Sequence, residues 1–153
     1  MSRAFVKELE DGVEELPERP ISPHPNLVTA EGLAHIEAEV TRLQQEHAAA
    51  HTANDRTALA RAARDLRYWT TRRATAQLVA APSDRSKVHF GSTVTIVRND
   101  GRRQTFRIVG EDEADPARGT LSHASPLARA LFGKELGDTV KVAQSEAEIV
   151  EIA

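Results

Sequence analysis

The chain contains no cysteine among its 153 residues. That excludes disulfides and every zinc site built on thiolates. Aromatic residues are scarce, 4% of the chain, with one tryptophan and one tyrosine that sit side by side as Tyr68-Trp69. A single such pair gives no extended platform for stacking successive bases of a nucleic acid. No apolar run approaches the roughly 20 residues that span a bilayer, and the N-terminus lacks the charged and apolar regions of a secretion signal. A cytoplasmic protein is expected. Excess positive charge is also missing: the net charge is −3, which argues against free nucleic acid as the main partner. There is no Gly-rich phosphate loop and no Ser/His/Asp arrangement, so no catalytic residues are assigned and an independent enzyme is not expected.

What remains is a chain of one or two small domains. Residues 1–28 read as an acidic, proline-rich extension: Glu8, Glu10, Asp11, Glu14, Glu15 and Glu18 precede or accompany Pro17, Pro20, Pro23 and Pro25. Prolines at that density forbid a continuous helix. A solvated arm is the expectation; the alternative has Ile21 and Leu27 on the body and the acids against a basic helix.

Residues 29–81 read as an antiparallel helical hairpin. Thr29 suits an N-cap and Glu31 the positive end of the helix dipole. Leu33, Ile36, Val40, Leu43, His47 and Ala50 then recur at heptad spacing. A second periodic run extends from Arg56 to about Val79, with Leu59, Ala62, Leu66, Trp69 and Ala76 on one stripe. The predicted seam is Leu33, Ile36, Val40 and Leu43 against Leu59, Leu66 and Trp69. So short a link, centred on Asn54-Asp55, forces the helices antiparallel. Glu31, Glu37, Glu39 and Glu46 on the first helix face Arg56, Arg61, Arg64, Arg67, Arg72 and Arg73 on the second, which predicts edge pairing. The same arginines leave contact with nascent RNA or DNA as a weaker reading.

Residues 82–87 read as a linker and 88–153 as a small sheet domain with one short helix. Strands are predicted over Ser92–Arg98 and Thr105–Val109, joined by the turn Asn99-Asp100-Gly101, and a last pair follows Gly137-Asp138, ending in Glu148–Ile152. Ser125 and Pro126 suit the N-cap and first position of the short helix, which Gly133 ends. The fold class is α+β.

The wording of this half is more specific than its pattern. IVGEDEAD at Ile108–Asp115, then G-x-L-S-x-x-SPLARAL-x-GK-x-x-GD-x-V from Gly119 to Val140, resembles the C-terminal domain of the Gre family of bacterial transcript-cleavage factors. T-x-E-G-L at Thr29–Leu33 and FGSTVTI at Phe90–Ile96 resemble the family's hairpin opening and first C-terminal strand. The resemblance implies a coiled-coil finger, an FKBP-like domain without isomerase activity, and RNA polymerase as partner. The C-terminal domain would grip the rim of the secondary channel, with Ser125, Pro126, Leu127 and Arg129 as the matching contact segment. Cleaving members carry D-x-x-E at the finger tip and help hold a magnesium ion of the polymerase.

This tip departs from that pattern. His47–Ala60 reads HAAAHTANDRTALA and has Asp55 as its lone acid. Asp55 is the candidate ligand for a magnesium ion shared with the polymerase, and the chain is expected to hold no cofactor of its own. One carboxylate places a second ion poorly, and a shorter hairpin reaches less far. The expectation is an elongation factor with weak or absent stimulation of cleavage. Alternatives are an active cleavage cofactor using Asp55, or a regulator of another enzyme such as a nucleoside diphosphate kinase. His47, His51 and Asp55 stand at four-residue steps, but a seam residue flanked by a turn explains them without a metal. Glu111, Asp112, Glu113 and Asp115 lack calcium-loop spacing and read as a solvated edge.

Overall fold

The computed structural model describes residues 16–153. Glu8, Glu10, Asp11, Glu14 and Glu15 of the arm therefore lie outside the described residues. Two units follow from the chain's internal packing. One holds Ile36–Thr75 together with residues 16–23; the other holds His24–His35 and Ala76–Ala153.

In the helical unit, α1 (Ala30–Thr52) and α2 (Arg56–Thr75) are joined by three residues. Such a link returns the chain antiparallel. The seam is made by Ile36, Val40, Leu43 and Ala50 of α1 with Ala62 and Trp69 of α2, all buried. Leu59, Leu66 and His47 are half-buried, as is Leu33, which belongs to the other unit. Arg72 is 1% exposed, not on the basic outer face where the sequence reading put it. It follows Trp69 by one turn on the same stripe, so the whole side chain, guanidinium included, is buried.

Three further expectations change here. The second helix stops at Thr75, short of Val79, because Gln77-Leu78 (β2) pairs in parallel with Leu27-Val28 (β1). Arg67 does not meet the acidic helix as expected but engages Glu18 of the arm, and Arg42 engages Glu39 and Glu46 on its own helix. Residues 16–23 are accordingly not a free solvated arm, since Glu18 and Arg19 lie on α2.

The second unit is built on a five-stranded sheet ordered β5-β4-β3-β7-β6. Its strands are β3 (Thr93–Arg98), β4 (Arg103–Val109), β5 (Thr120–Ser122), β6 (Thr139–Val142) and β7 (Ser145–Ile152). β4 and β5 run parallel and the other neighbours antiparallel, with a register shift between Thr95 and Ile96 where β3 meets β7. Alternation puts Val94, Ile96, Ile108, Val140, Ala147 and Ile149 on one buried face. The short helix α3 (Pro126–Leu131) closes that face with Leu127, Ala128 and Leu131. The expected linker is an ordered turn, in which Asp84 accepts hydrogen bonds from the Ser86 N–H (2.8 Å), the Ser86 hydroxyl (2.6 Å) and His89 Nε2 (2.9 Å). These bonds, led by the Ser86 hydroxyl, hold the Asp84 carboxyl far below its ordinary range. The fold class is α+β, as expected.

Candidate functional site

Two exposed features carry the candidate residues: the start of α3 and the turn between α1 and α2. At α3, the Ser125 hydroxyl accepts from the Ala128 N–H at 3.3 Å and Pro126 occupies the first helical position. The preceding turn is braced by the Ser125 N–H donating to Ser122 C=O (3.0 Å) and the Ala124 N–H donating to Ser122 Oγ (3.1 Å). Of the four residues assigned to docking, Pro126 and Arg129 are exposed and Ser125 is half-buried. Leu127 is in the core at 8% exposure. A six-residue helix must commit one face to the sheet, and at that spacing Leu127, Ala128 and Leu131 share it. The surface available to a partner is therefore Pro126 and Arg129, without Leu127.

At the hairpin turn, Asn54 adopts a left-handed φ of 54°. Asp55 then starts α2: its Oδ1 accepts from the Ala58 N–H at 3.1 Å and its carbonyl from the Leu59 N–H at 2.9 Å. The carboxylate proposed as a metal ligand is thus also the helix cap, a sufficient structural reason for Asp at this position. Glu46 and Asp55 border one shallow groove, otherwise lined by Ala49, Ala50, Ala53, Ala58, Ala62 and Arg61. Glu46 is held by Arg42 at 2.6 Å. Among the described residues no three His, Asp or Glu side chains converge as a metal site.

The reading of Glu113 as part of a solvated edge is corrected. Its carboxylate accepts from the Thr29 N–H (3.1 Å), the Thr29 hydroxyl and the Gly110 N–H (3.2 Å). Thr29 in turn caps α1, its hydroxyl oxygen accepting from the Gly32 N–H at 3.0 Å. Two glycines make room for this: a Cβ on Gly32 would lie 2.0 Å from Glu113 Oε2, and one on Gly110 2.5 Å from the Leu27 carbonyl oxygen. Glu31 pairs with Arg107 at 3.7 Å. Its carboxyl is lowered first by its own backbone N–H at the helix start and then by Arg107. The signal for this node was present in sequence, as the glycines of T-x-E-G-L and of V-G-E-D-E. Nothing local showed that the two segments meet.

Residues 82–153 match the family described as "Transcription elongation factor, GreA/GreB, C-term". This half of the chain is similar to the GreA/GreB C-terminal domain. Over 78 residues it is 51% identical to the transcription elongation factor GreA of Alkalilimnicola ehrlichii, covering 48% of this chain and 49% of that protein. With GreA of Hyphomonas neptunium the identity is 59% over 59 residues, 38% of each chain. The chain thus aligns with about half the length, or less, of the curated relatives it matches. Among solved structures, it is similar to the GreA factor homolog 1 (Gfh1) protein of Thermus thermophilus. There the identity is 21%, the TM-score 0.41, and 85% of this chain and 99% of that one are covered. It is also similar to GreA/GreB from Nitrosomonas europaea, at 18% identity and TM-score 0.42, covering 83% and 98% of the two chains. Among the described residues no helix is long and apolar enough to cross a membrane.

Proposed function

We propose that this chain is an RNA polymerase-binding transcription elongation factor of Gre type, in which the C-terminal domain docks and the hairpin enters the secondary channel. The observation that carries this reading is the GreA/GreB match over the whole C-terminal domain, joined to a helical hairpin rooted in the T-x-E-G-L segment. The chain acts as a cofactor and not as an enzyme. Exposed Pro126 and Arg129 beside the Ser125 cap supply a rigid knob for the polymerase.

The tip supports little or no stimulation of RNA cleavage. A magnesium ion needs several oxygen ligands in near-octahedral geometry. Asp55 offers one carboxylate, one oxygen of which already accepts from a helix N–H, and Glu46 is engaged by Arg42. The residues that would approach the ion are therefore Asp55 and, more weakly, Glu46. A factor with such a tip occupies the channel without completing the ion's shell, and so competes with a cleaving factor. Binding is tested by retention of purified polymerase on the immobilised full chain, compared with the Pro126→Glu/Arg129→Glu variant. Loss on substitution, with the far-ultraviolet circular dichroism spectrum unchanged, is expected. Absence of binding by the unsubstituted chain would move the reading to a different partner enzyme.

A further inference from the structure

The arm carries a motif that the elongation reading leaves unused. Pro17, Pro20 and Pro23 recur every third residue, the period of a polyproline II helix, whose backbone makes no internal hydrogen bonds and presents the same edge each turn. Between them stand Glu18, Arg19, Ile21 and Ser22. On the hairpin side, α2 presents the chain's one tyrosine, packed edge to face at 5.2 Å and 87° against its one tryptophan, the seam residue Trp69. Proline-rich segments bind surfaces with this combination of aromatic side chains and flanking charges.

The contacts match in charge. Both Glu18 carboxylate oxygens accept from Arg67 Nε, each at 3.0 Å. Arg67 in turn pulls the Glu18 carboxyl below its ordinary pKa. The Arg19 guanidinium lies 4.0 Å from the centre of the Tyr68 ring and 5.8 Å from that of Trp69. Its NH1 reaches Asp65 Oδ1 at 3.5 Å. An open groove of about 650 Å³ runs along this contact, bordered by Ile21, His47, Leu66 and Thr71.

We infer that the α2 face around Arg67 and Tyr68 is a docking groove for an extended, proline-spaced segment carrying a Glu-Arg pair, and that its occupant is this chain's own residues 17–23, held as a removable strap. Each contact is of a weak class. Exposed ion pairs and cation–π contacts together favour the strapped form only about 10-fold. A tethered segment has an effective concentration of order 1 mM. The same segment supplied as a separate peptide then binds the emptied groove with a Kd of about 0.1 mM, one tenth of that concentration. A partner that needs this face meets a protein whose apparent affinity is lowered about 10-fold by its own strap.

The test uses the full chain and its single tryptophan as reporter. In Glu18→Ala/Arg19→Ala, acrylamide quenching of Trp69 rises, while helix content by circular dichroism is unchanged. The peptide of residues 16–25 then restores protection with half-saturation near 0.1 mM. A peptide carrying the same two alanines does not, and the unsubstituted chain needs about 10-fold more peptide. As a control for charge pairing, Glu18→Arg and Arg67→Glu each raise quenching and the double variant returns it toward the starting value. Quenching unaltered by the substitutions, or no peptide protection at several millimolar, overturns the strap.

Discussion

Glu113 accepts hydrogen bonds from both the backbone N–H and the hydroxyl of Thr29, 84 positions earlier in the chain. Thr29 is the residue that caps α1, so the acid that follows β4 secures the first turn of the hairpin's first helix. A single carboxylate thereby ties together two of the segments that resemble the Gre family, T-x-E-G-L and V-G-E-D-E.

This node predicts a reversal of sign. Gly to Ala inside a helix normally stabilises by about 0.5–1 kcal/mol. At Gly32 the new Cβ would meet Glu113 Oε2 at 2.0 Å, so Gly32→Ala is expected to destabilise the protein. In a Glu113→Ala background that obstacle is gone and the same change becomes neutral or stabilising. Glu113→Ala alone leaves N–H donors of Thr29 and Gly110 without this acceptor, costing about 1–3 kcal/mol. Urea unfolding of the four proteins measures the coupling. Additive effects would mean that Glu113 does not occupy the glycine cradle.

Core and surface separate at α3. Leu127→Asp places a charge in the sheet core and is expected to unfold the C-terminal domain, since an unpaired buried charge costs several kcal/mol. Pro126→Glu/Arg129→Glu leaves the unfolding midpoint nearly unchanged and lowers polymerase binding. A folded Leu127→Asp protein that fails to bind would return Leu127 to the docking surface.

The hairpin's stability is expected to follow burial more than heptad position. Leu43 is 1% exposed, and Leu43→Ala is expected to cost about 2–5 kcal/mol. Leu66, half-buried beside the arm, costs less on the same truncation. Denaturant unfolding followed at 222 nm ranks the two, and a larger loss at Leu66 would place the seam one position away.

Acid is expected to release the arm. Arg67 holds the Glu18 carboxyl below its usual value. A depressed folded pKa means that the contact is fully present above the unfolded value, about 4.3, and is lost as pH falls through the folded one. Trp69 quenching should therefore be flat from neutral pH down to about 5 and rise below about 4. A transition centred near pH 6 would assign the change to a histidine instead.

These outcomes also mark what was readable in the sequence. The heptad run from Ile36 to Ala50, the turn at Asn54-Asp55 and the Ser125-Pro126 helix start are local signals, set by side-chain period and cap chemistry. They stand where expected. Arg72 was misplaced because an arginine inside a stripe looks the same as one beside it until the stripe's angle is fixed by packing. β1 and β2, two residues each, are too short to show any alternation, and they end α2 early. The Glu113–Thr29 contact was invisible for a different reason: it depends on tertiary proximity across most of the chain. The prolines and Glu18 of residues 17–23 suggested solvent, and only Tyr68 and Arg67 together gave Glu18 and Arg19 a surface.

The central claim is that this finger occupies a polymerase channel without supplying the ligands for cleavage. Its most direct test is 3′ RNA cleavage in backtracked elongation complexes, with this protein alone and in competition with an authentic cleavage factor. Asp55→Asn serves as the control variant, because asparagine keeps the α2 cap while removing the charge. The account predicts little or no cleavage by this protein, insensitivity to Asp55→Asn, and inhibition of the authentic factor in proportion to occupancy. Robust cleavage by this protein alone, abolished by Asp55→Asn in a chain that still binds, would contradict it.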